Sequence, residues 1–395
     1  MSASTPPPSE ATDWTLTLHA SIHEIGPVEW DACAGDENPF VSFGFLSALE
    51  DSGSVADRTG WLVRHAALRS PNGTIAALAP LYGKAHSRGE YVFDQSWARA
   101  YEAAGGYYYP KFQCAVPFSP VPGPRLLVRP DQVEPQAVAR ALASALMQAA
   151  GQLGLSSVHA TFCDDASMEA FESAGYLKRL GIQYHWQNQG YASFEDFLNA
   201  LSSRKRKAIR KERKTAQTAG LIFVTRQGAD ITAADWKAFY RFYQSTVDRK
   251  WGSAYLSESF FPMLSERLGN SVVLMLAEHE GRPVAGALNL MGKDTLFGRN
   301  WGCDGEWPFL HFELCYYQAI DFAIAHGLTR VEAGAQGEHK IQRGYLPAFT
   351  RSAHAFLDPG LGRAVAAFLE EERSALLDEA EALAAGSPYR QDDSS

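Results

Sequence analysis

Apolar and polar positions alternate with period two in WTLTLHA, from Trp14, and predict a half-buried strand. In WLVRHAALRSPNGTIAALAPLYGKA two apolar runs flank Pro71-Asn72-Gly73, and an Asn-Gly between such runs is a strong hairpin signal. YYYPKFQCAVPFSPVPGPRLLV reads as a strand followed by a rigid proline-rich loop. An alanine-rich helix (QAVARALASALMQAAGQLG), a strand (SSVHATFCD), a short helix (SMEAFESAG) and another strand (YLKRLGIQYHWQNQG) follow.

The second half repeats this order. TAADWKAFYRFYQSTVDR and SESFFPMLSERLG read as helices, and SVVLMLAEHEGRPVAGALNLMGKDTLFGRNWG as three strands with turns at HEGRP and MGKD. PFLHFELCYYQAIDFAIAHG is apolar nearly all round, the pattern of a buried helix. TRVEAGA and TRSAHAFLD read as strands, GRAVAAFLEEERSALLDEAEALAAG as an amphipathic helix, and SPYRQDDSS as a frayed end. The repeated order of elements, without repeated sequence, divides the chain into a tail (1–13), an N-terminal domain (14–190), a connecting helix (191–218), a C-terminal domain (219–360) and a C-terminal helix and tail (361–395).

Charge changes the picture at one place. The 395 residues carry a net charge of -9, which excludes general nucleic-acid binding, yet residues 204–214 hold eight basic groups and one glutamate. In SFEDFLNALSSRKRKAIRKERKTAQTAG, Ser193 is placed to cap a helix. Its apolar stripe of Phe194, Phe197, Leu198, Leu201, Ala208 and Ile209 also passes through Lys205 and Glu212, which therefore point at the protein. Arg206, Arg210 and Arg213 share an outward face. Lys205, Arg206 and Arg210 are the candidates for holding a phosphate, against the plainer reading of a solvated basic surface.

The densest chemistry lies in VEAGAQGEHKIQRGY, residues 331–345. Ligands of open α/β sheets collect beyond strand C-termini, and Gly334 and Gly337 allow close backbone approach there. Glu332 and His339 are candidate proton acceptors and Gln336 a candidate orienting group. Lys340 and Arg343 are placed to neutralise an anion or a developing oxyanion. His311 and Glu313 start the buried helix, where an anionic ligand would dock, although structural pairing explains such buried groups equally well. The prolines of PFSPVPGPR read as a rigid connector, whereas Arg125 within it is a candidate acceptor contact.

Five scattered cysteines without a C-x-x-C pair fit a reducing cytoplasm rather than a disulfide framework. The first residues lack the pattern of a signal peptide, and no apolar run reaches the length of about 18 residues that spans a bilayer. Metal-ligand spacing, a G-x-S-x-G elbow and a P-loop are all missing.

PFLHFELCYYQAIDFAIAHGL, EAGAQGEHKIQRGYLPAFTRSAH, SRKRKAIRKERK and VPFSPVPGPRLL together resemble the FemAB-like family of the GNAT acyltransferase superfamily, over roughly residues 14–360. The resemblance implies an α/β fold of two tandem GNAT-like domains, mixed sheets flanked by helices. It implies transfer of an acyl or aminoacyl group to an amine acceptor, a small molecule or peptide, in peptidoglycan chemistry. No tightly bound cofactor is implied; acyl-CoA or aminoacyl-tRNA is the donor substrate, so tRNA is a possible partner. CoA-dependent GNAT enzymes carry R/Q-x-x-G-x-G/A. Here RNWGCD keeps Arg299 and Gly302 but puts Asp304 where a small residue belongs, and a carboxylate there repels a pyrophosphate. The long helical arm of some Fem ligases has no counterpart. The alternative from another class is a non-catalytic protein that holds RNA or a nucleotide-linked precursor on the basic helix.

Overall fold

A computed structural model describes residues 14–250, 254–334 and 337–390. Fifteen strands are present among them: β1 Thr15–His19, β2 Trp61–Val63, β3 His65–Arg69, β4 Ile75–Ala79, β5 Leu81–Lys84, β6 Lys111–Cys114, β7 Leu127–Val128, β8 Ser157–Ala160, β9 Leu177–Gln187, β10 Leu221–Gln227, β11 Val272–His279, β12 Arg282–Met291, β13 Thr295–Cys303, β14 Arg330–Glu332 and β15 Leu346–Phe356. β1, β3, β4 and β7 form a small sheet. The other eleven form one sheet in the order β10-β11-β12-β13-β14-β9-β15-β8-β6-β5-β2.

Read from either end, that order has the same sense. An antiparallel meander leads to a parallel pair, β13 with β14 or β6 with β8, and then to antiparallel pairs that meet at β9 and β15. The halves are interlocked. β9, from the first half, pairs with β14, while β15, from the second, pairs with β8. The predicted hairpin forms between β3 and β4 across Pro71-Asn72-Gly73. Its flanks are cut at Arg64 and Pro80, so that β2 and β5 join the large sheet instead.

The basic connector is two helices, α6 Phe194–Ala200 and α7 Ser203–Gln217, where one was expected. Ser193 caps the first by accepting from the Asp196 amide. The chain breaks at Leu201 and Ser202 because the C-terminal segment pairs there: the Ser202 amide donates to Pro388 and the Arg390 amide to Ala200. The end expected to fray is thus pinned up to Arg390. The break also turns Ala208 outward while Ile209 stays buried. α8 Ala233–Lys250 packs across β12 and β13. The helix Leu310–Ala325 contains a π turn at Glu313–Tyr317, and the long α12 Pro359–Ala385 closes the chain. No helix among the described residues is long and apolar enough to cross a membrane. Residues 1–13 lie outside the described residues.

Candidate functional site

β13 and β14 stay paired for three residues, ending at Phe297 and Glu332. β14 then stops, while β13 runs on beside β12 through a bulge at Leu288 and Asn289 that sets Arg299 as the extra residue. The strands therefore fork, and the fork opens on a cleft of two joined cavities of about 500 and 780 Å³, within the size range of small-molecule sites. Both are walled by Tyr91, Phe93, Arg299, His311, Tyr316 and Ala333. The first runs under α8. The second crosses β9 and β15 beneath Glu372 and Leu376 of α12, so the strand exchange itself supplies part of its floor.

Three of the sequence candidates face this cleft. His311 lines both cavities and packs on Trp301, ring centres 4.9 Å apart. His339 and Lys340 line the second, on the 3-10 helix Glu338–Arg343 that follows Gly337. The His339 Nε2 lies 2.9 Å from the Tyr316 hydroxyl, and the π turn that carries Tyr316 brings it to the cleft wall. Lys340 is 3% exposed and donates to the Gly334 carbonyl at 2.9 Å; burial pulls its ammonium down to about 8.

Glu332 stands one layer behind. It is 3% exposed, both carboxylate oxygens are buried without a hydrogen bond, and burial pushes its pKa up to about 7. Arg330 Nε lies 3.2 Å from Oε1, off hydrogen-bonding geometry, and His185 Nδ1 is 3.9 Å away. Gln336 lies outside the described residues.

The remaining candidates are not brought into the cleft. Arg343 forks onto Glu212 (Nη2 to Oε1, 2.9 Å) and lies 3.4 Å over the Phe312 ring. Glu313 is fully buried and receives Arg213 at 3.0 Å. Arg213 also pairs with Asp321 at 2.6 Å, so it points inward and not on the outward face expected beside Arg206 and Arg210. Glu212 does point inward, as the stripe predicts, and accepts from the Tyr317 hydroxyl. Lys205 is half-buried, its pKa lowered by burial and by nearby Arg204 and Arg343. On the outer surface, Arg206 reaches Asn199 at 3.4 Å and Arg210 pairs with Glu195.

Arg125 departs from the reading of an acceptor contact. It is fully buried and donates to the backbone carbonyls of Thr161 (2.8 Å), Val121 (2.6 Å) and Pro124 (3.0 Å). Asp304 is exposed and paired with Arg241 at 3.2 Å, which offsets part of its charge.

Sequence reading missed the aromatic walls. Among the described residues five non-glycine positions have positive φ, and three of them, Tyr91 (59°), Phe118 (58°) and Phe162 (56°), line the cleft. Bulky side chains held in the left-handed region cost of order 1–3 kcal/mol each, and such strain collects at functional sites. It leaves no mark on local hydropathy.

The forked parallel strands, repeated in mirror order across one sheet, define a tandem GNAT-like fold. The chain belongs to the FemAB-like family of peptidoglycan biosynthesis/recognition proteins, which it matches over residues 21–391. FemX is a structural neighbour at 12% identity, with 86% of this chain and 98% of FemX covered and a TM-score of 0.53. A conserved protein of unknown function from Bacteroides thetaiotaomicron aligns at 12% identity over 87% of this chain and all of its own length (100%), TM-score 0.51. A tandem GNAT protein from the clavulanic acid biosynthesis pathway overlaps less closely: 11% identity, 88% of this chain and 99% of its own, TM-score 0.46. No curated protein matches the chain.

Proposed function

We propose that this protein transfers an acyl or aminoacyl group from an activated donor to an amine, at the fork between β13 and β14. The observation that carries the reading is the joining, at one strand end, of a donor-sized cavity, a histidine on a tyrosine hydroxyl and a lysine whose ammonium titrates near 8.

The chemistry follows from those positions. The amine nitrogen attacks the acyl carbonyl, the new C–N bond forms, and the bond to the donor's sulfur or oxygen breaks. The proton lost by the amine goes to the His339 imidazole, whose orientation the Tyr316 hydroxyl holds through Nε2, and returns from it to the leaving group. Lys340 and Arg299 face the charge that develops on the carbonyl oxygen. Glu332 lies behind the wall and acts through the charge it places near Arg299, which makes it a positioning residue.

The test is release of the donor's leaving group on addition of amines, with acyl-CoA and charged tRNA compared as donors. His339→Ala loses about 100-fold in turnover with its melting temperature unchanged. Full activity in that variant refutes the assignment.

One observation favours a second reading, a holder of RNA or a nucleotide-linked precursor. Arg204, Lys207, Lys211 and Lys214 form an exposed ridge on one face of α7 and make no ion pair among the described residues. Binding that weakens steeply between low and moderate salt, without turnover, is the result this reading requires.

A further inference from the structure

The first cavity is chemically one-sided. Tyr91, Phe118, Tyr243, Tyr255, Leu256 and Trp301 supply its walls, with Phe118 and Tyr255 stacked at 5.1 Å. Two of those wall residues, Tyr91 and Phe118, are the ones held at positive φ, so the aromatic surface is maintained against local strain. Polar groups gather at the fork end, where Asn289 and Asn300 flank Arg299 and the Arg299 guanidinium donates to the Phe118 carbonyl at 2.6 Å. Among the described residues that line the cavity there is no aspartate or glutamate, and the charged ones are Arg88 and Arg299.

We propose that this cavity holds the transferred group, and that the group is a large apolar acyl chain or ring without a free ammonium, its carbonyl toward Arg299. This rests on the transferase reading of the fork. Apolar walls reward each buried methylene, and a guanidinium with no lining carboxylate favours an oxygen-bearing end over a cationic one. An aminoacyl group brings an ammonium that finds no partner acid among the described lining residues. Aromatic faces can hold a cation, so an amine probe is the fair competitor.

The experiment is calorimetric binding of straight-chain carboxylates from butyrate to decanoate, the carboxylate standing in for the acyl carbonyl, with decylamine and decanol as matched probes. Affinity rises roughly fourfold per methylene until the cavity is full. Decylamine binds at least tenfold more weakly than decanoate. Thr246→Phe, which fills the wall contributed by α8, abolishes the dependence on length, and Arg299→Met brings decanoate and decanol to parity. Affinity that is flat with chain length, or decylamine binding as tightly as decanoate, overturns the proposal. Length-dependent binding with no transfer to any amine leaves the apolar pocket standing and refutes the transferase reading instead.

Discussion

The two parallel strand pairs of the large sheet have the same design and opposite outcomes. β6 and β8 pair for three residues, from Phe112–Val158 to Cys114–Ala160, as β13 and β14 do. Beyond β14 the chain moves away and leaves the cleft. Beyond β8 the proline-rich loop 115–126 enters the gap. Gly123 bridges Cys163, its amide donating to Phe162 while its carbonyl receives the Asp164 amide, and Arg125 fastens the loop to Thr161. A Cβ at Gly123 would come within 2.3 Å of Asn38 Nδ2, so any larger residue at that crossing has to displace the Asn38 amide, which donates to the Pro122 carbonyl. One fork is filled by backbone and a buried guanidinium; the other keeps room for a ligand. The difference shows how a repeated element retains its fold while room for a ligand is left at one copy and filled at the other.

The largest predicted effect is on the filled fork. Arg125→Ala strips partners from two buried carbonyls and one half-buried one, the buried ones worth about 1–3 kcal/mol each, and destabilises the protein by about 4 kcal/mol. Denaturant unfolding measures it.

Next in size is Glu332, at the open fork. Its pKa is raised from an ordinary 4.5 to about 7 in the folded protein. Below pH 4.5 the group is neutral in both states and its burial costs no charge; between pH 4.5 and 7 the unfolded carboxyl ionises while the buried one keeps its proton, so a penalty builds up that is complete above 7. At about 1.4 kcal/mol per unit this reaches roughly 3 kcal/mol. Glu332→Gln is therefore more stable than the parent above pH 7 by up to that amount and matches it below pH 4.5, while its turnover falls. A variant less stable at pH 8 contradicts the account of a buried carboxylate whose desolvation outweighs its contact with Arg330.

Smaller effects sharpen the same contrast. Tyr316→Phe removes the hydroxyl 2.9 Å from His339 and lowers kcat about tenfold with little change in KM, as expected of an orienting group. Arg210→Ala, on the exposed pair with Glu195, changes stability by less than about 0.5 kcal/mol, and its readout is salt-dependent binding of a phosphorylated ligand.

How much of this was legible in the chain follows from the range of each interaction. The meander β11–β13, the helix into Gly327 and the hairpin at Asn72-Gly73 are local and stand in the hydropathy pattern. So is the crowd at Glu332 to Lys340, although among its described ionisable side chains only His339 and Lys340 reach the cleft. The exchange of β9 and β15 joins residues more than 150 positions apart and leaves no local signal. The same is true of the pairings that take Arg343 and Glu313 out of service, since Glu212 and Arg213 lie on α7, over 90 residues away in the chain. PFSPVPGPR announces rigidity but not where the rigid piece fits.

Hydrogen–deuterium exchange with and without decanoyl-CoA tests the central claim most directly. The account predicts protection at residues 298–301 and 337–343, and at Phe118 where it walls the open cavity, with residues 121–126 in the filled fork unchanged. Protection at 121–126, or none at 298–301 and 337–343, contradicts it.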